Sequence, residues 1–181
     1  MSPRIFTRGW VVPSLIALIA FLVVGVSASA AAPKTRIVTQ YTHVDFATSG
    51  GFPTEPGSTL VTVGPLTAKL FRPDGTRTLR GMGIRRTTVI DSPAPFTYRM
   101  KGKGRSFYPQ ATHKVRYHVT VTLDPVELTV SFEGAGRVVK GTGKYRGTTG
   151  RFKLDFPTRP VETTGPVTDT IRGWIRTPHW N

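Results

Sequence analysis

The sequence predicts an all-β fold, a single domain of antiparallel strands behind a secretory signal peptide. Three observations lead there. Apolar and polar residues alternate over long stretches of residues 36–175, as in a sheet with one buried and one wet face. Clusters of Gly, Pro, Asp and Ser interrupt this alternation at regular intervals, as turns between short strands require. No helical period of useful length occurs after residue 33, and no internal repeat is evident. Such strands belong to a barrel or a sandwich.

The start of the chain reads as a targeting segment. Arg4 and Arg8 form a basic beginning, residues 11–26 an apolar run of sixteen, and residues 27–32 a small-residue region. That is the layout of a signal peptide, with cleavage expected after Ala30 or Ala32. The run is shorter than the ~20 residues of a spanning helix, and Pro13 interrupts it. No twin arginine precedes it, which favours the general secretion route. The expected organisation is a signal peptide over residues 1–30, a short tail over 31–36 and a barrel-sized domain over 37–181. The chain has no cysteine, hence no disulfide framework, lipidated cysteine, thiol nucleophile or thiolate metal site. About 150 mature residues suffice for one core without such staples.

Residues 36–46 form the first expected strand. Ile37, Thr39, Tyr41, His43 and Asp45 share one face, opposite Val38, Gln40, Thr42, Val44 and Phe46. After a breaker-rich segment, residues 59–71 form a second strand, expected to break at Gly64-Pro65 because proline cannot donate to a ladder. Pro73-Asp74-Gly75 is a turn, since proline sets φ and Asp-Gly accepts left-handed conformations. Residues 77–90 follow, ended by Asp91-Ser92-Pro93, and then residues 96–108, closed by Pro109. The clearest alternation sets Val115, Tyr117, Val119, Val121 and Leu123 opposite Lys114, Arg116, His118, Thr120 and Thr122. Beyond Asp124-Pro125, Val126, Leu128, Val130 and Phe132 repeat it. Residues 137–141, 149–156 and 167–175 bring the count near eight.

Residues 134–156, GAGRVVKGTGKYRGTTGRFKLDF, place Gly141, Gly143, Gly147 and Gly150 among strand formers, which marks sharp turns and close backbone approach. This stretch resembles the GGTGxFxxxxG segment shared by allene oxide cyclases and plant dirigent proteins, with Lys140 in place of the first glycine. A weaker likeness runs back to about Gly57 through GSTLVTVGPLTAKLFRPDGTRTLRG. The resemblance implies an eight-stranded antiparallel barrel that holds a small apolar ligand in its mouth. It also implies catalysis by positioning, without a dissociable cofactor; a few relatives form rings in polyketide biosynthesis. Relatives form dimers and trimers, so self-association belongs to the same expectation.

Charge is the second bulk signal. The chain carries +15, or +13 once Arg4 and Arg8 leave with the signal. Residues 77–105 hold eight basic residues and one acid, Asp91; residues 134–154 hold six and no acid. Such a field concentrates anionic partners. For an exported chain these are acidic polysaccharides, teichoic-type polymers and anionic lipid surfaces rather than nucleic acid. In the run from Lys101 to Tyr108, interleaved glycines suggest a mobile hairpin tip. Lys101, Lys103 and Arg105 are the expected polyanion-docking residues there; otherwise the run is a solvated turn.

Turned into a barrel, His43 and Asp45 would transfer protons, with Tyr41 packing on the ligand; turned outward, the trio is solvated surface. Dirigent proteins carry an adjacent His-Asp on their first strand, whereas Val44 separates the two here. Tyr98 and Tyr117 lie among apolar neighbours and are candidate cavity residues. Other chemistries lack their motifs. Gly141-Thr142-Gly143 is followed by no helix, and Gly143-Lys144 by Tyr145 rather than Ser or Thr. His113 and His118 are five apart on one strand and face opposite sides, so they cannot share a metal. No metal and no cofactor is expected. Two functions result: a secreted barrel for an apolar small molecule, either a binding protein or a cofactor-independent isomerase or cyclase, and an envelope-associated module that binds acidic polymers without catalysis.

Overall fold

Alternation in this chain resolves into strands that leave no sheet edge. The computed structural model describes residues 32–47, 52–161 and 166–178, the side chains of residues 44–47 excepted. The expected signal peptide, residues 1–30, lies outside them. The strands are β1 (Thr35–Ala47), β2 (Thr59–Arg72), β3 (Gly75–Ala94), β4 (Thr97–Tyr108), β5 (Ala111–Asp124), β6 (Thr129–Gly141), β7 (Thr149–Pro160) and β8 (Val167–Arg176). Each pairs antiparallel with its sequence neighbours, and β8 returns to β1, from Thr35 opposite Ile175 to His43 opposite Val167. The result is a closed, up-and-down, eight-stranded antiparallel barrel. Closure, unlike a sandwich, gives every backbone ladder a partner on both sides.

Because successive side chains point to opposite faces, the alternating runs fill the interior. Val89, Met100, Tyr117, Val119, Val121, Val130, Phe152, Leu154 and Ile171 form the main core, with a smaller cluster of Leu70, Val138 and Ile175. Most lysines and arginines of the same strands stay outside, whereas Arg85 on β3 and Arg159 on β7 face the interior.

Several boundaries differ from expectation. β1 begins at Thr35, inside the segment read as tail. β2 is not broken at Gly64-Pro65. Its pairing with β1 keeps one register from Tyr41 opposite Leu66 to Val44 opposite Val63, and the rungs between them are missing. Proline has no N–H to give there. β3 runs through Asp91-Ser92-Pro93 to Ala94, with register shifts after Val89 and Asp91. Bulges absorb what the turn residues would otherwise have ended. The segments 126–133 and 137–141 are not two strands; β6 spans Thr129–Gly141. Val126 and Leu128 are not core residues. They lie exposed in the β5–β6 connection, where the Asp124 carboxylate accepts from the backbone N–H groups of Val126 (2.9 Å) and Glu127 (3.0 Å). Asp-Pro is a turn signal, and here it outweighs the alternation.

The glycine-rich segment forms the β6–β7 connection around a single 3-10 turn, Gly143–Tyr145. Gly143 and Gly147 have φ of +55° and +75°, a region where a Cβ is strained. This turn brings Tyr145 inward, where it is buried with its ring 4.3 Å from that of His113 and 5.7 Å from that of Tyr108. At the opposite end, Phe52 packs with Tyr98 (6.1 Å) and Phe132 (6.4 Å).

Candidate functional site

The inward face of β1 carries Ile37, Thr39, Tyr41 and His43, and the barrel interior holds a cavity of about 290 Å³. Its walls are mostly aliphatic and aromatic, among them Met100, Val119, Val121, Phe152, Leu154 and Ile171. Into this apolar space project His43, Arg85, Tyr117, Arg159 and Asp169.

Asp169 is buried on β8, directly opposite Tyr41 in the ladder. Its Oδ2 lies 2.9 Å from His43 Nε2, and its Oδ1 accepts from Arg159 Nη1 at 2.7 Å. A carboxylate can only accept, so this contact places the His43 proton on Nε2. The His43 ring stacks on Tyr41 at 5.0 Å between centroids, as residues two apart on one strand face can. Tyr41 is fully buried, and its hydroxyl donates to the Gly83 carbonyl at 3.2 Å.

Arg85 projects inward from β3, its guanidinium 3.6 Å from the centre of the Tyr41 ring. Among the described residues no carboxylate lies within ion-pair distance of it. Loss of solvent lowers the Arg85 pKa below its usual range, and the nearby tyrosines and Asp169 oppose that only in part. The cavity thus contains two guanidinium groups and one carboxylate among its described side chains. Those three groups sum to one positive charge in a mostly apolar enclosure.

Tyr117 shares a hydrogen bond of 2.6 Å with the Thr87 hydroxyl, and burial raises its pKa. At the far end His113 is buried with no hydrogen-bond partner at Nε2 among the described residues, and burial lowers its pKa to about 4. It is a neutral plug residue, T-shaped against Tyr108. His118, on the other face of β5, is exposed. Among the described residues no three His, Asp or Glu side chains gather as metal ligands.

The structure brings together Tyr41, His43 and Tyr117 from the sequence-based candidates. Asp45 continues β1 opposite Thr62, but its side chain lies outside the described ones, and the carboxylate that meets His43 belongs to Asp169. Tyr98 is partly buried and packs against the core from the start of β4 without lining the cavity. Lys101, Lys103 and Arg105 are not at a hairpin tip. They occupy the middle of β4 and project from its outer face, and their glycine neighbours point inward, where large side chains need room. Arg85, Arg159 and Asp169 were missed. Asp169 had a signal, since it falls in phase with Val167, Ile171 and Ile175, an acid on an apolar stripe. Compared with known proteins, the chain matches no family model, no curated protein and no solved structure.

Proposed function

We propose that the barrel binds one small, mostly apolar molecule whose single acidic group meets Arg85. The observation that carries this reading is the inward-facing Arg85 guanidinium, which has no carboxylate partner among the described residues. A charge taken out of water costs several kcal/mol (roughly, after relaxation) unless something compensates it. The face of Tyr41 supplies only about 2 kcal/mol even when desolvated, and an anionic ligand would supply the rest through charge-assisted hydrogen bonds. The cavity, about 290 Å³, stands near the lower end of small-molecule sites, which are apolar with a few placed polar groups.

His43, oriented by Asp169, puts a titratable ring at the same cavity. A cofactor-independent isomerisation or ring closure uses such a pair for proton transfer, with the walls imposing the ligand's conformation. The likeness of residues 134–156 to the allene oxide cyclase and dirigent segment supports a place in that barrel family, and the signal-like start supports secretion.

The test is a titration of the purified protein with a long-chain fatty acid and with the primary alcohol of the same length. The expected result is one saturable site that survives high salt, with the acid bound at least about tenfold more tightly, or about 1.4 kcal/mol. Arg85→Gln should abolish the difference. Equal binding of acid and alcohol, or binding of neither, would overturn the reading.

A further inference from the structure

The outer wall carries a feature independent of what the cavity holds. Arg86 on β3 lies opposite Lys103 on β4, Lys103 opposite Arg116 on β5, Arg116 opposite Arg137 on β6, and Arg137 opposite Arg151 on β7. Five cations on five adjacent strands therefore form one uninterrupted cross-strand row, and all five are exposed. Gly102 and Gly136 lie in the floor of the shallow groove along this row, and Lys101 borders it. Lys153 stands one row over, and neither flanking row contains an acid from β3 to β7. None of the five cations forms an ion pair among the described residues.

Like charges directly opposite on neighbouring strands destabilise a sheet, and this row contains four such juxtapositions in series. Strand spacing of about 4.8 Å gives the row a length of roughly 19 Å. Neighbouring cations lie well within the screening length of about 8 Å at physiological salt, so their fields add. Solubility alone would be served by the same charges interspersed with acids. We infer that this row is a docking surface for an acidic polysaccharide, a flexible chain bearing carboxylate or sulfate groups.

Curvature and composition select that occupant. Five of the eight strands wrap about half of the barrel, and a flexible chain can follow that convex path where a stiff duplex cannot. Bases stack on successive exposed aromatic platforms in single-strand binding sites, whereas between Arg86 and Arg151 the only aromatic ring in the groove besides His118 is that of the buried Tyr117. One strand beyond Arg151 the row reaches Trp174, with Lys34 Nζ 5.1 Å and the Arg176 guanidinium 5.7 Å from its ring. An indole edged by cations suits the apolar face of a charged sugar ring. The signal-like start would bring the chain to where such polymers occur.

The test measures binding of heparin, of polygalacturonate and of single-stranded poly(U) across a series of salt concentrations. Polysaccharide binding is expected to weaken steeply with salt. Lys103→Ser/Arg116→Ser/Arg137→Ser should lower affinity at least about tenfold and flatten the log–log salt dependence by roughly two to three. The triple replacement Lys69→Ser/Arg80→Ser/Lys144→Ser removes the same charge from exposed sites elsewhere and should leave affinity within about twofold, whereas net charge alone would make the two variants lose equally. Thermal melts of both variants confirm folding, and the row variant should melt no lower than the parent. Equal loss in the two variants, tighter binding of poly(U) than of either polysaccharide at matched salt, or no polysaccharide binding would overturn the inference.

Discussion

Gly102 on β4 lies directly opposite Tyr117 on β5, and a methyl group on Gly102 would stand 2.1 Å from Tyr117 Cζ. The phenol ring occupies the volume that a side chain on β4 would have filled. Tyr117 has Gly136 as its neighbour on the other side, and Gly136 leaves room in turn for Phe152, whose Cζ would stand 2.3 Å from an added methyl. Large rings and glycines thus alternate around one inner layer, which lets a narrow barrel hold aromatic side chains and still keep a cavity.

Replacing Gly102 with alanine should therefore act as overpacking. Tyr117 cannot simply rotate away, because its hydroxyl is held by Thr87 at 2.6 Å. The expected cost is about 1–3 kcal/mol, the range for methylenes forced into a packed interior. Urea melts of Gly102→Ala, Tyr117→Val and the double variant check it. The double variant should be more stable than the sum of the single losses predicts, because the second change removes the clash.

This layer also explains what was legible in the sequence. Val115 to Leu123 announced their faces because alternation with period two is a backbone property, readable without tertiary contacts. The closed barrel itself depends on β1 meeting β8, more than a hundred residues apart, and no local pattern encodes that. The site divides similarly. Tyr41 and His43 were readable from their shared face. Asp169 and Arg159 come to His43 only through closure, and Arg85 was hidden in a run of arginines that otherwise point outward. The turn at Asp124 to Leu128 failed to be read because its apolar residues continued the alternation past the end of β5.

Arg85 sets function against stability. Arg85 is partly buried, so replacing it with methionine removes part of the several kcal/mol that a fully desolvated charge costs and forfeits a cation–π contact of about 1 kcal/mol at such a site. The first effect is the larger, so Arg85→Met should raise the stability of the ligand-free protein by about 1–3 kcal/mol while abolishing preference for an acidic ligand. Melting of the two proteins without ligand is the check. A lower melting temperature for the variant would make Arg85 a structural cation and remove the basis for an acidic ligand.

Asp169 carries two partners on one carboxylate. Asp169→Asn leaves the Arg159 guanidinium without its counter-charge, which costs about 3–5 kcal/mol for a fully buried pair. The Arg159 side chain is 18 % exposed, so partial hydration reduces the expected loss to about 2–3 kcal/mol. In Asp169→Asn/Arg159→Met no charge is stranded, and the double variant should recover part of that loss. Equal losses in the single and double variants would show that the ion pair contributes nothing beyond packing.

His113 makes stability depend on pH at the end of the barrel closed by Tyr145. Its pKa falls from 6.5 in the unfolded chain to about 4 in the fold because burial disfavours the imidazolium. The unfolded state therefore binds the proton first as pH drops. Stability from this residue is fully present above about pH 6.5, declines as pH falls towards about 4, and is flat below that. The shift corresponds to about 3 kcal/mol across that window. His113→Phe keeps an aromatic ring beside Tyr145 and Tyr108 but cannot be protonated. Denaturant melts between about pH 7 and about pH 4.5 should show the decline in the parent and a much shallower one in the variant, since carboxylates account for little of the change above about pH 5. A parent and variant that lose stability in parallel would place the protonation elsewhere and leave His113 a passive part of the plug.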